Sequence, residues 1–271
     1  MTAEIKLGNK TLSAPSSESS RFSLLLWGSS GSGKTTLAAT APGKKLWINY
    51  DPDGTNAITY RDDVIEMDCS SEKPNYVMNF RKENPLKIEQ FLEEHPEIET
   101  VVFDSLTTFG EDALYHGVQE AQGTKKGASA TIEDPGYGGY GNKNTWTRLC
   151  VMNLLRSTAR MNRHMIFIAH EDKPAMSSEG IVLYISIMLG SSLNEQLPIK
   201  LSEIWNLHDT GKERRIAVRN CRARKPMKSR MFITSKEPEF VWTYNADEDE
   251  GPGIADWYQA WVKNKGKKID L

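Results

Sequence analysis

The sequence predicts an α/β fold: a mostly parallel central sheet flanked by helices, with an antiparallel extension toward the C-terminus. Three observations carry this reading. Four short apolar runs, "RFSLLLWG" (21–28), "KKLWINY" (44–50), "IETVVFDSLT" (98–107) and "HMIFIAH" (164–170), are nearly continuous rather than alternating, as strands buried on both faces are. Helical or polar stretches separate them, the pattern of strand–helix–strand units. Beyond residue 200 the strand-like pieces "SEIWNLH", "RRIAVRNC", "RMFIT" and "EFVWTY" follow closely, which suits antiparallel pairing.

Each element has local punctuation. Residues 1–20 are polar and read as a flexible leader or a loosely attached strand. A helix is expected from about Gly33 to the stop at Pro42-Gly43. In "NPLKIEQFLEEHPE" (84–97), Asn84 caps a helix, Pro85 fits its first turn, Ile88, Phe91 and Leu92 share a face, and Pro96 ends it. Residues 123–145 are rich in glycine and lack apolar periodicity, so a long loop is expected there. A helix resumes from Trp146 to about Arg163, with Leu149, Cys150, Leu154 and Met161 along one side. Residues 171–180 begin a second polar loop, and "IADWYQAWVKNKGKK" predicts an amphipathic C-terminal helix. The expected organisation is a leader (1–20), a core (21–235) and a C-terminal strand-and-helix extension (236–271).

Composition bounds the function. The chain has 271 residues, 38% hydrophobic and 26% charged, which suits a globular domain. No apolar run is long enough to span a bilayer, and the N-terminus lacks the apolar core of a signal peptide. Cys69, Cys150 and Cys221 are odd in number and widely spaced, so neither disulfides nor a zinc site is expected. A reducing cytoplasm is the expected setting. The net charge of −2 hides an asymmetry. Residues 212–230 hold nine Lys or Arg and one acidic residue, whereas 247–250 read "DEDE".

The chemistry is concentrated after the first strand. Gly28, Ser29, Ser30, Gly31, Ser32, Gly33, Lys34 and Thr35 fit G-x-x-x-x-G-K-[ST], followed by Thr36. The glycines let the backbone wrap and aim its N–H groups at one anion. In that pattern Lys34 reaches the β- and γ-phosphates and the Thr35 hydroxyl ligates magnesium, so ATP and Mg2+ are the expected cofactors. Asp104, closing "TVVFD", is placed to hold the magnesium through water. Asp51 and Asp53, in "LWINYDPDGT", are the candidates for positioning the attacking water, and sequence alone does not choose between them; Asp-Pro-Asp-Gly also suits an ordinary turn. His170, ending the fourth strand, is a candidate γ-phosphate contact.

These residues together resemble a RecA-like P-loop ATPase core, closest to the compact phage-type RecA-like recombinases and single-strand annealing ATPases. The resemblance covers roughly 21–235 and rests on the phosphate loop, the carboxylate after the second strand, "VVFDS", two long loops and a late basic segment. It implies self-association into a ring or filament. Arg222 and Arg224, with Arg219 and Lys225 behind them, then reach a neighbour's γ-phosphate or touch DNA. It also implies that the loops near 120–145 and 171–195 line a path for single-stranded DNA, with Lys125, Lys126, Tyr137, Tyr140 and Lys143, and Trp146 at the end of the first loop, as candidate contacts. The expected function is Mg-dependent ATP hydrolysis driving DNA annealing or recombination, in the cytoplasm of a phage-infected bacterium, with replication or recombination proteins as partners. Two alternatives stand beside it: a nucleotide-switched ATPase acting on a protein in a replication or packaging complex, and a nucleotide kinase. The chain departs from recombinases in having aspartate where they commonly carry glutamate, a Pro in that turn, and histidine at position 170 where RecA carries glutamine.

Overall fold

The computed structural model describes residues 5–8, 10–12, 20–71, 88–125, 127–221, 223–233 and 237–270. Within the leader, β1 (Ile5–Leu7) and β2 (Lys10–Leu12) pair antiparallel. The core then runs β3 (Ser23–Gly28), α1 (Lys34–Ala39), β4 (Lys44–Asn49), β5 (Val64–Asp68), α2 (Ile88–Glu94), β6 (Ile98–Asp104), α3 (Leu106–Gln122), α4 (Gly136–Arg160) and β7 (His164–His170). A small hairpin, β8 (Ala175–Met176) and β9 (Val182–Tyr184), precedes α5 (Ser191–Lys200), β10 (Glu203–Asp209), β11 (Arg214–Ala217), β12 (Glu239–Trp242) and α6 (Ile254–Lys263).

Eight strands form the central sheet in the order β12-β11-β10-β3-β7-β6-β4-β5. From β10 to β5 all neighbours are parallel, and β11 and β12 add antiparallel. The expected architecture is therefore the observed one. One strand, β7, separates β3 from β6, so the two strands that end at the phosphate loop and at Asp104 flank His170.

The continuous apolar runs have a direct cause. Leu25 and Trp27 of β3 enter the core on the side of α3 and α4, while Leu24 and Leu26 enter the core on the side of α1 and α6, and all four are fully buried. A strand covered on both faces has no polar side to alternate with.

Several elements differ from expectation. The strand expected over 98–107 stops at Asp104, because Ser105 turns the chain and caps α3 by accepting a hydrogen bond from the Thr108 N–H at 3.2 Å. α3 itself, β5 and α5 were not anticipated from periodicity. Residues 123–145 are not one long loop, since α4 begins at Gly136. Its glycines, poor helix formers in isolation, are tertiary contacts here. A Cβ on Gly139 would sit 2.9 Å from Val118 Cγ2, and one on Gly117 would sit 3.0 Å from the Gly139 carbonyl oxygen. Close approach of α3 and α4 thus outweighs propensity. The expected cap residues Asn84 and Pro85 lie outside the described residues, and the described part of that helix buries Ile88 and Leu92 as predicted. No described helix is long and apolar enough to cross a membrane.

Candidate nucleotide site

The site lies at the carboxyl end of the parallel strands, where ligands collect in open α/β sheets. Gly28 ends β3 where no side chain fits: a Cβ there would land on the Leu207 carbonyl of β10. Gly31 and Gly33 take φ values of +76° and +96°, which other residues reach only with strain. Between them Ser32 is fully buried and its hydroxyl donates to the Ser29 carbonyl at 2.9 Å. Ser29 is half-buried, Ser30 is exposed at the loop tip, and Thr36 is buried in the first turn of α1.

Lys34 is 5% exposed and donates to the Ser29 carbonyl at 2.7 Å, closing the loop on itself. Burial lowers its ammonium to about 8, against the opposing pull of Asp104, Asp51 and Glu171. The Thr35 hydroxyl donates to Asp104 Oδ2 at 3.3 Å. Asp104 is buried, and desolvation together with the like charge of Asp51 pushes its carboxyl up to about 7. The Asp104–Ser105 peptide bond is cis.

The structure separates the two second-strand aspartates. Asp51 turns into the site, where Oδ1 accepts from the Ser105 hydroxyl at 3.1 Å and from the Thr108 hydroxyl. Its Oδ2 lies 3.5 Å from His170 Nε2. Burial pushes the Asp51 carboxyl up, but the hydrogen bonds from His170, Thr108 and Ser105 and the His170 charge outweigh it, so it titrates below the usual range. Asp53 sits instead in the exposed turn with φ of +59°, the left-handed conformation that Asp tolerates. His170 is oriented through its main chain, whose N–H donates to Thr107 Oγ1 at 2.9 Å.

The late basic segment is not a continuous strand, because β11 ends at Ala217. Arg222 lies outside the described residues. Arg224 is held in this chain by Glu171, Nε to Oε2 at 3.4 Å. Arg219 is exposed, and the Lys225 ammonium lies 4.5 Å above the Tyr184 ring. Of the expected DNA contacts, Lys125 is exposed and Lys126 is outside the described residues. Tyr137 and Tyr140 are exposed on the first turns of α4, not on a loop. Lys143 is half-buried, which lowers its pKa, and Trp146 packs against the core.

Three residues at the site were missed: Thr108, Thr107 and Glu171. The hydroxyls were visible as "DSLTT" one turn beyond the strand, the place from which a helix can hand hydroxyls back to a strand end. Glu171 follows β7 directly, and its N–H donates to the Gly28 carbonyl at 3.0 Å.

The residues present fit a magnesium nucleotide. Lys34 lacks an anionic partner in the loop and uses a carbonyl instead, and Thr35 and Asp104 bring a hydroxyl and a carboxylate together beside it. Loop, carboxylate strand and the intervening β7 define a P-loop ATPase domain. The chain belongs to the AAA_24 family, described as an AAA domain, whose profile matches residues 20–241. No curated protein matches the sequence. Among solved structures it is similar to KaiC-like protein PH0186 from the hyperthermophilic archaeon Pyrococcus horikoshii OT3, with 13% identity, a TM-score of 0.41, and coverage of 86% of this chain and 88% of that one.

Proposed function

We propose that this chain hydrolyses ATP with Mg2+ and couples hydrolysis to single-stranded DNA as an oligomer, in annealing or recombination. The observation that carries the hydrolytic part is the fixing of Asp51. Two hydroxyl donors hold Oδ1, which leaves Oδ2 as the atom that accepts a proton from, or orients, the attacking water. His170 stands beside that same oxygen. Lys34 would bind the β- and γ-phosphates, and Thr35 with Asp104 would hold the metal. Bound magnesium supplies charge neutralisation at the transferred phosphoryl group.

The DNA part is supported by exposed rings: Tyr137 is fully exposed and Tyr140 half-exposed at the start of α4, stacking faces of the kind single strands use, and Lys125, in the turn before α4, is exposed as well. Self-association is supported by chemistry. Arg224 is tied to Glu171 within its own chain, and the reading assigns the added arginine for the γ-phosphate to Arg222 of a neighbouring copy. One observation favours the second reading, a switch acting on a protein partner: Ile181, Leu183 and Met176 on the β8–β9 hairpin are more than half exposed.

The test is ATP hydrolysis with and without single-stranded DNA, for the wild type, Lys34→Ala and Asp51→Asn. Stimulation by DNA, loss in Lys34→Ala, and a fall of ~10²–10⁴-fold in kcat for Asp51→Asn are expected. Undiminished hydrolysis by Asp51→Asn refutes the role of Asp51. Hydrolysis indifferent to DNA moves the function to the protein-partner switch.

A further inference from the structure

We infer that Arg214 is a nucleotide-binding residue, the second cation of the site, gripping the nucleoside-side phosphates. The inference rests on the nucleotide reading of the phosphate loop and extends it to the opposite flank. His170, Asp104 and Asp51 come from β7, β6 and β4, all on one side of β3. On the other side lie β10, β11 and β12. A polyphosphate lying in the loop with its hydrolysable end toward the carboxylates therefore presents its nucleoside end toward β10–β12.

Arg214 is the first residue of β11 and stands at the same end of the sheet as the loop, in register with Trp242 and Asp209. Its guanidinium reaches the loop itself: Nη1 lies 3.2 Å from the position a Cβ on Gly33 would occupy, with the Trp242 ring at 3.3 Å from the same point. Its ion pair is a long one, Nε to Asp209 Oδ2 at 3.9 Å, and 36% of the side chain is exposed. A guanidinium has five N–H donors in a fork suited to phosphate oxygens, so most of its bonding capacity remains for a ligand. Trp242, its register partner on β12, is buried and stacked on Tyr244 at 5.3 Å, and borders Gly33 from the same flank.

Charge gives the reason such a group is needed. Lys34 faces Asp51, Asp104 and Glu171, so the hydrolytic flank is rich in negative charge before any phosphate arrives. A cation on the opposite flank offsets the repulsion where it does not disturb the carboxylates. This role needs no hydrolysis and serves ADP as well as ATP.

The experiment is calorimetric titration of ADP and ATP, each with excess EDTA and with Mg2+, into wild type, Arg214→Ala, Arg214→Lys and Lys34→Ala, beside thermal melts without nucleotide. Arg214→Ala is expected to weaken both nucleotides by about 10- to 100-fold, the worth of a charge-assisted contact. Its nucleotide-free melt is expected to match the wild type, and Arg214→Lys, which keeps the charge but not the fork, to recover part of the affinity. ADP binding by Arg214→Ala equal to wild type overturns the inference. So does equal loss in Arg214→Ala and Arg214→Lys with an early melt, which would make Arg214 a structural support of Gly33. A wild type that binds neither nucleotide refutes the reading of the loop itself.

Discussion

Replacing Asp104 by Asn should stabilise the nucleotide-free chain while removing the carboxylate the metal requires. The structure buries this carboxyl almost completely beside Asp51 and moves it from 3.8 to about 7. Between those values the folded chain keeps a proton that the unfolded chain has released. Stability is therefore fully present below about pH 4, falls as pH rises to about 7, and is level above that. At ~1.36 kcal/mol per pH unit the penalty at pH 8 is ~4 kcal/mol, and near pH 5.4 it is half of that. Asn is neutral throughout, and its amide oxygen still accepts from the Thr35 hydroxyl. The assay is thermal and urea unfolding of both proteins in EDTA from pH 4 to 8. Equal stability is expected near pH 4, with a gap opening to ~4 kcal/mol, or roughly 8 °C for a chain of this length, by pH 8. A variant no more stable than wild type at pH 8, or a gap of constant size from pH 4 to 8, refutes the reasoning.

Two further outcomes follow from the geometry. Gly28→Ala places a methyl on the Leu207 carbonyl and must part β3 from β10, so a loss of about 2–3 kcal/mol or more in urea unfolding is expected, although alanine is nearly the smallest possible change. Tyr137→Ala and Tyr140→Ala should each weaken single-stranded DNA binding by ~1–3 kcal/mol in fluorescence anisotropy and leave nucleotide affinity unchanged; unchanged DNA affinity in the double variant would remove α4 from the DNA surface.

What was legible in the sequence depended on whether the signal is local. The buried strands were legible because burial on both faces leaves a continuous apolar run, as in Leu24–Trp27. The loop was legible because glycines at fixed spacing are demanded by backbone shape. The start of α4 was not, because Gly136, Gly138, Gly139 and Gly141 read as breakers when taken alone, and only the neighbouring α3 turns Gly139 into a packing residue. The choice between Asp51 and Asp53 was likewise undetermined. Both suit a turn, and what distinguishes them is the pair of hydroxyls that α3 delivers to Asp51 from more than fifty positions away. Arg214 carried no motif at all; its position follows from an antiparallel strand returning to the phosphate end of the sheet.

The site also departs from what stability alone would select. A lysine brought low by burial, a carboxyl brought high by burial and a second carboxylate nearby are an expensive set to enclose. In the chain alone the groups answer one another weakly, Lys34 through a carbonyl and Asp104 through a hydroxyl at 3.3 Å. None of these bonds neutralises charge. A polyphosphate at Lys34 and a divalent cation between Thr35 and Asp104 would neutralise both signs at once. The same residues that weaken the empty fold are thus the ones whose charges a magnesium nucleotide complements, and Asp51, held below the usual carboxylate range by His170 first and then by Thr108 and Ser105, stays ionised. Two carboxylates of one residue type are thus driven in opposite directions by their surroundings, Asp104 toward holding a proton while the site is empty and Asp51 toward ionisation, the separation that a site with two distinct tasks for its carboxylates requires.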